Sequence, residues 1–347
     1  MIDASPLRDQ TPRWQSELAA AVTDPRELCR LLGLDPALAL GALAAAEGFR
    51  LRVPLGFVRR MRAGDPHDPL LRQVLPALRE LASPAHFSGD PLGEAAALRA
   101  PGLLHKYHGR ALLIATEACA VHCRYCFRRE FPYDAQQDAA GRWNGALEVI
   151  TRDQSIEELI LSGGDPLSLG DRRLATLTDA LRAVPHLQRL RIHTRQPIVL
   201  PSRVDAGLLA WLRSLPWPVV MVLHSNHANE IDDEVRAATA ALRQAGVTLL
   251  NQSVLLAGVN DSTAALVALS RALWSAGVLP YYLHLLDAVR GAAHFEVDEA
   301  RARQLAGAMA AELPGYLVPR LAREVAGQPA KTTLMPDFPS LAPGPLT

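Results

Sequence analysis

The sequence predicts an α/β protein built on a parallel sheet, either doubly wound or rolled into a full or partial barrel, with a helical region ahead of it. Three observations predict this. From residue 111 onward short apolar runs alternate with amphipathic stretches, and strands that alternate with helices pair in parallel. Each run ends in polar residues, which is where both architectures bind ligands. Before residue 100 the apolar residues follow a helical period instead.

Taken in order, Trp14 to Ala100 carries helical spacing such as Leu18-Ala21-Val22 and Leu28-Leu31-Leu32, punctuated by Pro36, Pro54, Pro66 and Pro84. We therefore assign residues 1–100 to a helical N-terminal region. The strand candidates are Ala111 to Ala115, Glu158 to Ser162, Arg189 to Thr194, Val219 to His224, Val247 to Ser253 and Leu279 to Leu285. Helix candidates fall between and after them: Asp171 to Val184, Val204 to Leu215, Asp232 to Gln244, Thr263 to Ala276 and Asp298 to Leu313. Polar groups close each strand, namely Thr116-Glu117-Ala118-Cys119, Ser162-Gly163-Gly164-Asp165, His193-Thr194-Arg195, His224-Ser225-Asn226-His227, Asn251-Gln252-Ser253 and Asp287. Their shared position points to one site. Residues 101–338 form the strand–helix unit, and the Pro-rich residues 339–347 read as a frayed tail.

Composition narrows the function. The 347 residues are 49% hydrophobic and 21% charged, and 36 basic side chains cancel 36 acidic ones. That balance fits a globular protein and gives no broad electrostatic footprint for nucleic acid or anionic lipid, so the expected partner is small. No run of 18 apolar residues and no signal pattern in Met1 to Gln10 occurs, so no membrane span and a cytoplasmic location are expected. Lys106 and Lys331 are the only lysines. Amine chemistry thus has two candidates.

Four cysteines occur, and Cys119, Cys123 and Cys126 fall within eight residues as C-x3-C-x2-C directly after a strand. This spacing suits a reducing compartment and one metal centre better than a disulfide framework. Three thiolates can hold three irons of a four-iron cluster and leave the fourth iron open. Zinc would normally want a fourth ligand, for which His122 is available; unligated buried thiols are the plainest alternative. Cys29 stands alone on a helical face as an ordinary core thiol.

The cysteine spacing together with Ser162-Gly163-Gly164-Asp165-Pro166 resembles the radical S-adenosylmethionine (SAM) enzymes. That resemblance implies a partial (β/α)6 barrel, a [4Fe–4S] cluster on Cys119, Cys123 and Cys126, and SAM chelating the open iron beside the Ser162 to Asp165 loop. A second resemblance covers almost the whole chain. Thr23-Asp24-Pro25, Asp68 to Val74, Pro101 to Tyr107, Cys126-Phe127-Arg128-Arg129, Asn251 to Leu256, Gly291 to Phe295 and Gly315 to Pro319 are similar to the lysine 2,3-aminomutase group, in particular its branch serving β-lysylation of elongation factor P.

This resemblance implies an isomerase that converts L-α-lysine to (R)-β-lysine. It implies pyridoxal 5′-phosphate (PLP) on Lys331, with Arg110 at the phosphate, and His224 and Gln252 near SAM. Arg128 would pair with the carboxylate of free lysine, and Asp287 and Glu324 would neutralise its distal ammonium. Elongation factor P and its separate lysyl ligase are the implied functional partners, and a homodimer is compatible. The catabolic aminomutases carry aspartate at the position of Glu324 and a cysteine-bearing C-terminal extension that this chain, ending soon after Lys331, lacks; their structural zinc is not implied. Each residue also has a plainer reading: Arg128 as a solvated or paired arginine, Asp287 as a helix cap, Glu324 as a surface acid, and His224, Gln252 and Arg195 as satisfied strand-end groups. Two rival functions remain, a catabolic lysine 2,3-aminomutase and a non-catalytic iron–sulfur or zinc-binding interaction module.

Overall fold

The computed structural model describes residues 11–133 and 143–338; the proline-rich tail assigned from the sequence, residues 339–347, lies outside them. The N-terminal region is a series of short helices: α1 (Arg13–Ala19), α2 (Pro25–Leu31), α3 (Pro36–Ala46), α4 (Leu55–Val58), α5 (Pro69–Arg72) and α6 (Glu94–Ala97). Three of them start on the same Asp-Pro device. Asp24, Asp35 and Asp68 each accept a backbone N–H at 2.8 Å from the residue two positions on, while proline fills the next position, where no N–H is needed.

Among the described residues ten strands follow in one sheet, ordered as in the sequence. An antiparallel edge, β1 (Leu98–Ala100) and β2 (Leu103–Tyr107), leads into β3 (Arg110–Thr116), β4 (Glu158–Gly163), β5 (Arg189–Thr194), β6 (Val219–His224), β7 (Thr248–Val254), β8 (Leu279–His284), β9 (Arg320–Arg323) and β10 (Thr332–Thr333). Pairing is parallel from β3 to β9 and antiparallel at both ends. The six strands expected from sequence are β3 to β8, and β9 extends the parallel run to seven. The connections carry α7 (Asn144–Arg152), α8 (Asp171–Leu181), α9 (Gln196–Val199), α10 (Ala206–Ser214), α11 (Asp233–Gln244), α12 (Thr263–Ser275) and α13 (Glu299–Glu312).

Side-chain alternation sorts the two faces of the sheet. Leu113, Leu161, Ile192, Leu223 and Leu249 pack outward on Leu174, Leu177, Leu208, Leu212, Val235 and Leu242 of the helices. The intervening positions, among them Ser162, His193, His224, Gln252 and His284, face the other way. A flat sheet would separate β2 from β9 by seven strand spacings, about 34 Å. Yet Lys106 of β2 donates to Glu324, just past β9, at 2.9 Å. The sheet therefore curls until its ends meet through side chains without sharing a backbone ladder, which makes it a partial barrel.

The N-terminal helices cover the loop after β3. Their core (Trp14, Leu28, Leu51, Phe57, Leu70 and Val74) includes Ala120 and Val121 of that loop. Backbone bonds join His122 N–H to Arg52 O and Arg124 N–H to Gln73 O, both at 2.9 Å. Fully buried Arg124 forms a two-pronged pair with Glu80 at 2.5 and 2.8 Å, and Arg129 reaches the same carboxylate at 2.9 Å. Removing one partner of such a pair strands a charge in a low-dielectric interior. We predict that Glu80→Ala lowers stability by about 3–5 kcal/mol in urea unfolding; a loss near zero would show that the cysteine loop is not clamped here.

Candidate active site

The cysteine loop begins where β3 ends. Burial raises the Cys119 thiol well above its ordinary range, with Cys126, Asp165 and Cys123 adding to the effect. Burial and then Cys123 push Cys126 up to about 11. The three sulfurs thus lie close enough to oppose one another's ionisation, and positive charge is what would relieve them. One is already supplied: the Arg195 guanidinium donates to Cys123 Sγ at 2.8 Å. Among the described residues no three His, Cys, Asp or Glu side chains converge on a single-ion position. A polynuclear cluster asks instead for thiolates that each take a separate iron, and three cysteines on one loop fit that donor set. His122 faces the N-terminal region, its Nδ1 2.9 Å from Arg50 O and its ring stacked on Phe49. Cys29 is buried in the N-terminal core.

The Gly-Gly turn after β4 is required by the cysteine loop. A Cβ on Gly163 would collide with Thr116 O, and one on Gly164 with Glu117 O and Ala118 O. Gly163 also has φ of 121°, outside the range of ordinary L-residues. In this position Gly164 N–H donates to Thr116 O at 2.7 Å and Asp165 N–H to Ala118 O at 2.8 Å. The Asp165 side chain is committed locally, accepting from Thr194 Oγ1, Arg195 N–H, Leu167 N–H and Gln196 N–H at 2.7 to 3.1 Å. Burial raises its pKa to about 6 against those bonds. Any cofactor contact on this loop therefore falls to its backbone or to Ser162.

Across the barrel the only two lysines converge on one acid. Glu324 accepts from Lys106 at 2.9 Å and from Lys331 at 3.0 Å. Burial pushes Glu324 up, but Lys331 and Lys106 outweigh it and bring it down to about 2. Asp287, in the loop after β8, goes the other way: burial and then Glu324 push it up to about 7 against the pull of the two lysines. Arg110 packs over the Tyr107 ring at 4.6 Å, and the Tyr107 hydroxyl is raised by burial and then by the nearby Glu324 carboxylate. Arg110 therefore stands at the edge of this group.

Arg128 joins the two halves. Its Nε and Nη2 grip Glu94 at 2.8 and 2.7 Å, and Nη1 donates to Ser162 Oγ at 2.9 Å. Glu94 in turn lies 3.8 Å from Lys106. Charges thus alternate in an unbroken chain, Arg128, Glu94, Lys106, Glu324, Lys331. Above it stand the interior histidines. His224 is held at about 3 by burial and then by Arg195, Arg128 and Lys331, and its Nε2 is 2.8 Å from the Gln252 amide nitrogen. His193 and His284 are lowered as well, first by burial. His193 Nε2 is buried with no protein hydrogen bond, a polar atom of the kind a bound ligand would satisfy.

Sequence reasoning therefore placed Cys119, Cys123, Cys126, Ser162, Gly163, Gly164, His224, Gln252, Arg128, Asp287, Glu324 and Lys331 around one interior. It missed Glu94 on Arg128 and Lys106 on Glu324. Glu94 lies in a one-turn helix with no periodic signal. The scarcity of lysine was the available hint for Lys106.

No family model matches the chain. It is 51% identical over 322 residues to the L-lysine 2,3-aminomutase of Escherichia coli, covering 92% of this chain and 94% of that one. The chain belongs to the L-lysine 2,3-aminomutase family. The enzyme of that name from Haemophilus influenzae is 45% identical over 96% of this chain and 98% of its own; the Clostridium subterminale L-lysine 2,3-aminomutase is 32% identical over 94% of this chain and 78% of its own. Among solved structures, a radical SAM methyltransferase from Sphaerobacter thermophilus superposes with a TM-score of 0.46 at 17% identity, over 64% of this chain and 68% of that one. As a member of the aminomutase family the protein is an isomerase. Among the described residues no helix is long and apolar enough to cross a membrane.

The opposed acids make a pH prediction for the cofactor-free aminomutase. Between the ordinary 3.8 of Asp287 and about 7, the folded state keeps a proton that the unfolded chain has released, so this group's contribution to stability falls as pH rises through that window. Asp287→Asn removes the penalty. Its melting temperature relative to the parent should climb from near pH 4 to above pH 7; a flat or falling difference would contradict the burial of Asp287 beside Glu324.

Proposed function

We propose that this aminomutase converts free L-α-lysine to (R)-β-lysine with a [4Fe–4S] cluster, SAM and PLP, and that the product serves β-lysylation of elongation factor P through a separate ligase. The observation that carries the reading is the charge chain from Arg128 to Lys331 inside one barrel. Cys119, Cys123 and Cys126 would hold the cluster, the backbone of Gly163 and Gly164 with Ser162, His224 and Gln252 would meet SAM, and Lys331 would bind PLP with Arg110 toward its phosphate. Together these groups supply hydrogen abstraction at an unactivated carbon and a carrier for the migrating nitrogen.

The protein's own part is charge matching and exclusion of water. Were Lys331 to hold PLP, Glu324 and Asp287 would keep Lys106 as their neighbouring lysine cation. A substrate's distal ammonium restores the balance, and burial at this site strengthens the attraction. At the other end Glu94 keeps the Nε–Nη2 edge of Arg128. The Nη1–Nη2 edge, where Ser162 now accepts, is the one left for a substrate carboxylate. His224 is neutral and can accept or donate without adding charge.

Anaerobic protein supplied with iron, sulfide, reductant, SAM, PLP and L-lysine should yield β-lysine. Borohydride should fix the PLP on Lys331; an adduct on Lys106 would overturn the assignment. Arg128→Lys keeps the charge but loses the planar fork, and turnover should fall on the order of a hundredfold. The matches at Asp68 to Val74 and Gly315 to Pro319 support the elongation factor P role. β-Lysine delivered to elongation factor P in the presence of the ligase would agree with it. An Arg128→Lys enzyme that fails on free lysine but still rearranges lysylated elongation factor P would show that the modified protein is the substrate.

A further inference from the structure

Arg195 lies at the end of β5, outside the chain of charges described above, and its side chain is almost wholly buried. Nη1 donates to Cys123 Sγ at 2.8 Å and to Tyr125 Oη at 2.5 Å, while Nη2 donates to Gln73 Oε1 at 2.7 Å and Glu230 Oε2 at 3.0 Å. Its backbone N–H is fixed by Asp165 at 2.8 Å. The partners are themselves held by further hydrogen bonds. Glu230 Oε1 accepts from Gln73 Nε2 and from the N–H groups of Asn226 and His227 at 2.9 to 3.1 Å. Asn226 Nδ2 donates to Tyr125 Oη at 2.6 Å and to Gln73 Oε1 at 2.9 Å. The guanidinium is over-determined against one of the three cysteines.

We infer that Arg195 is a positioning residue that sets the reduction potential of a cluster held by Cys119, Cys123 and Cys126, with Glu230 as its counterweight. The inference rests on the proposed cluster. In the step concerned the cluster takes one electron from an external reductant, going from [4Fe–4S]2+ to [4Fe–4S]+, with no bond broken and no proton transferred. The added negative charge spreads onto the thiolates. A permanent, buried cation donating a hydrogen bond to Cys123 stabilises that reduced form more than the oxidised one. Glu230, on the far side of the same guanidinium, offsets part of the effect. A purely structural salt bridge would have no such sign.

The test is an anaerobic redox titration of reconstituted protein with dithionite and mediators, read by the electron paramagnetic resonance of the reduced cluster. Arg195→Met should lower the reduction equilibrium constant tenfold or more, a shift of at least about 59 mV to more negative potential. Glu230→Gln should move it the opposite way, and Arg195→Lys should recover part of the loss. Unchanged potentials with full iron content, or shifts of the same sign in Arg195→Met and Glu230→Gln, would overturn the inference. If Arg195→Met cannot hold iron, Glu230→Gln and Arg195→Lys decide by the same signs. Parent protein that takes up no iron and sulfide would instead overturn the cluster reading itself.

Discussion

The contact of both lysines with Glu324 is the constraint on which the mouth of the barrel depends. It joins strands from opposite ends of a sheet that has no closing backbone ladder, and it draws the C-terminal segment carrying Lys331 over the interior. Bringing three such charges out of water is costly, and their attraction offsets that cost only while every partner stays in place. The arrangement is therefore poor as simple stabilisation. In the proposed function it is a site that exchanges one cation for another, with Asp287, raised to about 7, as the adjustable member.

A second constraint acts at the other side of the interior. The cysteine loop has little structure of its own, and its shape is imposed from two directions. The N-terminal helices hold it through Glu80, Gln73 and the backbone of Arg52, while the Gly163-Gly164 turn packs so closely that no side chain is tolerated there. The segment that would carry the metal chemistry is thus rigid without being regular. Arg195 and Glu94 extend the same logic, each a single side chain bridging a helix, a strand end and the loop.

Much of this was legible in the sequence. Strands β3 to β8 announce themselves as apolar runs, and the Asp-Pro starts of α2, α3 and α5 follow from capping chemistry. The C-x3-C-x2-C spacing located the cysteine loop because its chemistry is local. What was not legible is pairwise and long-range. β9 is four residues with arginine at both ends, too short and too polar to show a period. The match of Glu94 to Arg128 and of Lys106 to Glu324 depends on how far the sheet curls, which no local pattern encodes. The resemblance placed the Gly163-Gly164 turn beside SAM, and no local pattern showed that the close approach of the cysteine loop also requires both glycines. The carboxylate of Asp165 likewise turned out to pin the end of β5.

In the proposed function one interior receives lysine lengthwise, its carboxylate at Arg128 and its distal ammonium at Asp287 and Glu324. The most direct measurement is a crystal structure of the anaerobically reconstituted protein with SAM, PLP and L-lysine bound. The expected result is the carboxylate on the Nη1–Nη2 edge of Arg128, Glu94 still on the opposite edge, and the ammonium between Asp287 and Glu324. Lysine bound the other way round, or outside the barrel with the Arg128 to Lys331 chain intact, would contradict it.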